Sequence, residues 1–225
     1  MTYLSRVTLS PSARKTTRAL ASPEVLHAIV ARATERASDA SSSPERTLWR
    51  LDRGTDRHRL FIVSPHRPDE QILVDELAVE AKGFAALDYA PLLRAVKPGS
   101  EWRFRLKANP TKSLSQGEGQ RGRRIGLVKT ADQLEWLSSR AQQLGVEFPT
   151  NRFGQPEVIV RDSRTVDFRR ASATVTLSTA VFDGFLVVRD AAALQEALVT
   201  GVGRAKGYGY GLLTLAKPDV TKADG

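Results

Sequence analysis

An α+β protein with two tandem β-α-β-β-α-β units, each built on an antiparallel sheet, is what the sequence predicts. Three observations carry that reading. Apolar residues recur at helical spacing after positions 22, 129 and 190, and runs rich in β-branched and aromatic residues, of strand length, stand between them. The order of elements in residues 1–97 then repeats in residues 98–225, which the reading takes as two domains. At 225 residues the chain is long enough to bury real cores without disulfide staples.

Leu4, Val7 and Leu9 begin a first strand, and Pro11 leads into a basic loop with Arg14, Lys15 and Arg18. Ser22 is a good N-cap, Pro23 suits the first helical position, and Glu24 complements the positive end of the dipole. Leu26, Ile29, Val30, Ala33 and Ala37 then form one apolar stripe, ended by the Ser-rich residues 39–44. Residues 47–52 and 59–64 read as a hairpin around Gly54, residues 68–75 as a short helix, and residues 77–84 as a strand.

Residues 91–98 read as the joint between halves, after which residues 101–108 restart the pattern as a strand. Thr130 and Gln133 are spaced as a capping box, Leu134, Leu137, Ala141 and Leu144 make a stripe, and Gly145 supplies the stop. Two strands are expected in residues 158–178, where Ala171, Ala173, Val175 and Leu177 alternate with hydroxyl residues; residues 182–188 extend this region or add a strand. Asp190 caps a last helix with Leu194, Ala197 and Leu198 inward, Gly201 ends it, and residues 212–215 close the sheet. Both halves thus follow the ferredoxin-like (RRM-like) order, in which helices cover one face of a sheet and the other is free for a ligand.

Charge narrows the function. Lys and Arg total 34 against 25 acids, a net +9, and 25 of these cations are Arg, whose planar fork suits phosphate; a polyanionic partner is expected. The absence of Cys excludes disulfides, zinc-thiolate and iron-sulfur sites and a Cys nucleophile. No apolar window approaches the length of a membrane span, of about 18 residues, and the first ten residues lack a signal-peptide core, so a cytoplasmic location away from membranes is expected.

The densest basic stretch is residues 103–129, with eight cations to a single acid, Glu118. It is either a solvated loop or a phosphate contact, and charge alone leaves both open. Arg161, Arg164, Arg169 and Arg170 form a second group on the predicted hairpin, equally readable as charge protecting an edge strand. Residues 201–211 hold five glycines with Arg204, Lys206, Tyr208 and Tyr210. A helix precedes these glycines and a strand follows, the reverse of nucleotide-binding loops, so a Rossmann or P-loop reading is rejected. Backbone amides near a phosphate and tight packing both remain as roles.

His27, His58 and His66 are the available imidazoles; no His/Asp/Glu set stands at ligand spacing, so neither a metal site nor a cofactor is expected. His27 lies about 100° around the helix from Leu26, at the edge of the buried stripe. A Ser-His-Asp hydrolase has no support without a G-x-S-x-G elbow.

The opening Tyr3-Leu4-Ser5-Arg6-Val7, Leu26-His27, Leu48-Trp49-Arg50-Leu51, Phe104-Arg105-Leu106-Lys107-Ala108-Asn109-Pro110 and Gly201-Val202-Gly203-Arg204-Ala205-Lys206-Gly207-Tyr208-Gly209 together resemble the CasE family, the CRISPR-repeat-processing endoribonucleases of type I-E systems. The resemblance runs over nearly the whole chain. It implies tandem ferredoxin-like domains and metal-independent cutting of precursor CRISPR RNA at the 3′ base of the repeat stem-loop. His27 matches the family's catalytic histidine; an imidazole, ordinarily titrating near about 6.5, can take a proton from a ribose 2′-OH or give one to the leaving 5′ oxygen.

Attack by that 2′-OH would leave a 2′,3′-cyclic phosphate. RNA contacts are expected at Arg14, Arg18, Arg105, Lys107, Arg161, Arg164, Arg169, Arg170, Gly203, Arg204, Lys206 and Gly207. The resemblance also implies an enzyme that stays on its product and joins the other subunits of the Cascade surveillance complex. It departs at Glu24, where family members often carry Tyr; the partner of His27 is then open among a cation of the basic loop, Tyr208 and Tyr210. The rival reading is a non-catalytic RNA-hairpin-binding module. A DNA-binding regulator lacks a helix-turn-helix signal.

Overall fold

Strand β1 (Tyr3–Leu9) lies at the centre of the first sheet because its Ser5, Val7 and Leu9 alternate inward and are buried. The computed structural model describes residues 1–35, 46–115, 123–170 and 173–218. Around β1 the order is β2 (Leu48–Asp52), β3 (His58–Ser64), β1, β4 (Val79–Asp88), with β1 antiparallel to both neighbours and β2 to β3. Helix α2 (Pro23–Thr34) starts where expected. Ser22 Oγ accepts the Glu24 N–H at 3.2 Å, and Pro23 needs no partner there.

Leu26, Ile29, Val30 and Ala33 of α2 are buried against Trp49, Leu60, Ile62 and Leu73, each such large side chain contributing about 1.5–3 kcal/mol of burial. Ala37 and residues 39–44 lie outside the described residues. Helix α3 (Glu70–Glu76) begins two residues later than the expected helix because Asp69 Oδ1 caps Gln71 N–H and Ile72 N–H.

The second sheet runs β11 (Leu213–Ala216), β5 (Glu101–Ala108), β10 (Ala173–Val188), β8 (Val146–Glu147), with β9 (Val158–Arg170) paired to β10. Its order matches that of the first sheet, with the second strand of the unit split into β8 and β9. Helix α7 (Ala191–Thr200) is capped by Asp190, whose carboxylate accepts the Ala193 N–H, and ends at Gly201 with φ +77°. Phe104, Leu106, Trp136, Leu137, Phe182, Leu186 and Leu198 fill the core beneath, with the Trp136 and Phe182 rings stacked at 5.9 Å.

Local expectations are revised or completed at five places. Residues 14–19 form a helix, α1, in place of a basic loop; its Thr16 and Ala19 are buried while Arg14, Lys15 and Arg18 face solvent. Residues 90–95, in the stretch read as the joint between halves, form helix α4, with Pro91 in the first turn and Tyr89 and Val96 in the second core. The basic stretch contains a hairpin, β6 (Thr111–Leu114) and β7 (Arg123–Gly126). The Thr130/Gln133 capping box does not form, because the Gln133 amide is buried and donates to Leu127 O and Ser163 Oγ; α5 (Thr130–Ser138) therefore starts without a side-chain cap and a turn separates it from α6 (Ala141–Leu144). Finally, of the two readings for residues 182–188, the extension holds: β10 is one strand of 16 residues, in which Leu177, Ser178, Thr179 and Ala180 are all buried and the alternation is lost midway. No helix among the described residues is long and apolar enough to cross a membrane.

A buried side chain joins the two sheets. Arg50 of β2 has only 2% of its side chain exposed. Its Nη1 donates to Arg105 O, Leu212 O and Thr214 Oγ1 at 3.0, 3.2 and 2.8 Å, while Nε and Nη2 grip both oxygens of Asp52 at 2.7 and 3.0 Å. Arg105 extends the array by pairing bidentately with Asp183 at 2.6 and 2.9 Å and reaching Asp52 at 3.4 Å. Arg50→Met removes the guanidinium, takes a donor from Arg105 O, Leu212 O and both oxygens of Asp52, and is expected to cost about 3 kcal/mol in urea unfolding. A change within about 0.5 kcal/mol would show that the array contributes nothing to holding the sheets.

Candidate active site

His27 sits one position past the buried Leu26, so the first turns of α2 turn its ring outward at the helix edge. What stands against it is the glycine-rich loop. A 3-10 turn, Lys206–Tyr208, follows Ala205, itself left-handed at φ +62°, and packs across α2 and β2. A Cβ built on Gly207 would lie 3.8 Å from His27 Cε1 and 3.9 Å from Nε2, so the imidazole is in van der Waals reach of that glycine.

Two further glycines explain why the loop can come so close. At Gly209, φ is +83° and a Cβ would stand 2.4 Å from Trp49 Cζ3, so only glycine lets the loop rest on that indole. At Gly211, φ is +92°; its N–H donates to Lys107 O at 2.6 Å and its carbonyl accepts the Val202 N–H at 2.8 Å, closing the loop on itself. Lys206 turns away from the imidazole. Its Nζ donates to Thr200 O at 2.7 Å, at the negative end of α7, and burial together with Arg46 lowers its pKa.

The long β9–β10 hairpin supplies the second wall. Its register shifts between Thr179↔Arg164 and Val181↔Arg161, so Asp162 and Ser163 bulge, Asp162 with φ +49°. Arg164 pairs with Asp162 at 3.4 Å and Arg161 with Asp183 at 3.5 Å. Arg169 is exposed farther along the arm; the backbone of Arg170 is in β9 and its side chain lies outside what is described. Phe168 meets the Tyr208 ring edge-on at 4.7 Å, which ties the hairpin to the loop beside Gly207. Tyr210 is buried with Phe168 and Leu177, and that burial raises its pKa, so its hydroxyl is withdrawn from solvent.

Lys107 lies beneath. Its ammonium is 5.4 Å from the centre of the Tyr210 ring, and burial pushes its pKa down to about 8, with Arg164 and Arg53 acting in the same direction and Asp162 and Asp52 opposing. Arg105 is the opposite case: hydrogen bonding to Asp183 raises its pKa, and its fork is committed within the protein.

The structure therefore brings His27, Gly207 and Tyr208 together and places Lys107, Arg164 and Tyr210 in one electrostatic cluster. Arg14 and Arg18 are exposed on α1, and Gly203 and Arg204 at the start of the loop. Sequence reasoning missed Arg50, Asp52, Asp162 and Asp183 as the residues that orient this wall. The available signal was a lone charge inside an apolar strand run, at Arg50 after Leu48-Trp49 and at Asp183 after Val181-Phe182. Among the described residues no group of three or more His, Asp and Glu is placed to hold a metal ion.

The model of the CRISPR associated protein family matches residues 2–217. The CRISPR-associated endoribonuclease Cse3 of Thermus thermophilus is 32% identical over 222 residues, covering 95% of this chain and 99% of that protein. The chain belongs to the CRISPR-associated family of Cse3 and CasE. The Cascade subunit CasE of Escherichia coli is 34% identical over 121 residues, 50% of this chain and 56% of that protein. A structure of Cse3 bound to a 19-nucleotide RNA superposes with a TM-score of 0.80 at 30% identity, covering 95% of this chain and 99% of that one. Tandem ferredoxin-like sheets in a CasE-type chain are therefore shared with solved relatives.

The lowered pKa of Lys107 gives a signed expectation. In the unfolded chain it titrates near about 10.4, so between about pH 8 and pH 9.5, below the tyrosine range, the unfolded state binds more protons and Lys107 makes stability rise with pH. Urea titrations of the wild type and Lys107→Met across that window should show the rise reduced in the variant. Parallel curves would place Lys107 in ordinary solvent.

Proposed function

We propose that this CasE-family chain is a metal-independent endoribonuclease that cuts precursor CRISPR RNA at the 3′ base of the repeat hairpin and keeps the mature crRNA. The observation that carries the reading is the exposed His27 imidazole set against Gly207 between the basic hairpin and helix α2. The ribose 2′-OH attacks the adjacent phosphorus, the bond to the 5′ oxygen breaks, and the products are a 2′,3′-cyclic phosphate and a 5′-OH. One proton leaves the 2′ oxygen and one reaches the 5′ oxygen; His27 serves one of these transfers as general acid or base.

Lys107 and Arg164 supply positive charge near the loop, where a phosphorane would be stabilised, and Arg14, Arg18 and Arg169 extend the cationic surface that a folded hairpin would meet. Arg105 and Arg161 act chiefly by holding Asp183 and with it the strands beneath. Glu24 serves the helix terminus: its N–H is taken by Ser22 Oγ, and its carboxylate stands in the first turn. The endoribonuclease activity in the name of the Thermus relative, the RNA in the superposed structure and the Cascade membership of the Escherichia relative support an RNA substrate and Cascade subunits as partners.

His27→Ala, assayed with labelled repeat-hairpin RNA in EDTA, should slow cutting by about a hundredfold or more, the usual weight of a general acid or base, while leaving affinity within a few-fold. Equal loss of binding and cutting would make His27 structural. Tight hairpin binding by a wild type that never cuts would favour the non-catalytic module.

A further inference from the structure

A cavity of about 210 Å³ opens where the start of the glycine-rich loop meets the β6–β7 hairpin and the turn between α5 and α6. Three arginines, Arg124, Arg140 and Arg204, line it, and no acidic residue does. Neither Arg124 nor Arg204 forms an ion pair among the described residues, so the charge there is not balanced from within them. Neighbouring cations with no acid among them favour an anion in the space they line.

The wall is built rather than incidental. The Arg140 guanidinium lies over the Trp136 ring at 4.0 Å and its Nη1 donates to Trp136 O at 2.6 Å, which holds the fork in place; burial lowers its pKa. Gly203 has φ +77°, and a Cβ there would be 3.1 Å from Trp136 Cζ2, so the loop is pressed on the indole that forms the floor. Asn109 is 6% exposed. Its Oδ1 accepts the Ser178 N–H at 3.1 Å, which leaves its NH2 group without a partner among the described residues as it lines the cavity.

The lining groups are therefore cations, an amide and the hydroxyl residues Thr111 and Ser113, with the Arg140 fork held in place. The volume is below the roughly 300 Å³ at which small-molecule pockets begin, and fits a phosphate with part of its ribose. Arg204 and Gly207 are three residues apart, so their Cα atoms are within about 10 Å, or about three nucleotides of stacked strand.

We propose that this cavity is a phosphate subsite: it takes one backbone phosphate of the RNA strand that passes His27, a few nucleotides from the scissile bond, and so sets which phosphodiester reaches the imidazole. The inference rests on the RNA-cutting reading above, and its test separates the two. Hairpin RNAs each carrying one uncharged methylphosphonate linkage, stepped along the strand near the cut, are bound to the full-length wild type and to the Arg124→Gln/Arg204→Gln variant, whose changed side chains are both exposed.

The wild type should lose about tenfold in affinity at one linkage within about three nucleotides of the cut, and the variant should not distinguish that linkage. The variant's plot of log Kd against log salt should be shallower by about 0.7–0.9, one phosphate's worth, and its cut should spread to neighbouring positions. Absence of a sensitive linkage, equal sensitivity in both proteins, or an unchanged salt slope overturns the subsite. A wild type that binds but does not cut overturns the RNA-cutting reading, while the binding comparison still decides the subsite.

Discussion

Arg50 takes a full positive charge into a site with 2% of its side chain exposed, and a charge so placed persists only when every donor on it is used. Here the partners come from both halves: Asp52 from its own strand, and Arg105 O, Leu212 O and Thr214 Oγ1 from the second sheet. Because such an array tolerates little displacement, β2 is locked against β5 and β11. Its neighbours Leu48 and Trp49 then become the floor on which Gly201 and Gly209 lie, and the loop carrying Gly207 reaches α2. The meeting of an imidazole at position 27 with a glycine at 207 thus depends on how this buried guanidinium, with the apolar packing of Leu48 and Val63 beside it, sets β2 against the second sheet.

Three acids of this basic protein are spent near the junction. Asp52, Asp162 and Asp183 pair with Arg50, Arg105, Arg161 and Arg164. Such pairs add little net stability where they are exposed, but they hold guanidinium forks in fixed directions. A strand of RNA would therefore meet positioned groups more than a diffuse cloud of charge, which favours register over raw affinity. Burial of Lys107 works the same way, since a cation already stripped of water loses less on meeting a phosphate.

What was legible in the sequence was local. The Ser22-Pro23-Glu24 start of α2, its stripe, the Asp190 cap and the Gly145 and Gly201 stops all depend on neighbours within a turn, and these stand as expected. Reading failed where distant partners decide. Gln133 was spaced to cap a helix and instead donates to Ser163, thirty residues away, and residues 177–180 lose their alternation because both faces of β10 are covered. At the site, His27 was legible as a helix-edge residue. Its contact with Gly207 spans most of the chain, and no local pattern joins the two. Arg105 shows the converse: a cation in a basic stretch reads as a phosphate ligand until the carboxylates of Asp183 and Asp52 are found on it.

That the RNA supplies its own nucleophile beside His27 is tested most directly with a repeat hairpin carrying a single 2′-deoxy nucleotide immediately 5′ of the cut, incubated with the wild-type protein in EDTA. This RNA should be bound as tightly as the all-ribose hairpin and left intact at that position, while the all-ribose hairpin yields a product ending in a 2′,3′-cyclic phosphate. Cutting of the 2′-deoxy RNA at the same bond would contradict it, because the attacking oxygen would then have to come from water or the protein.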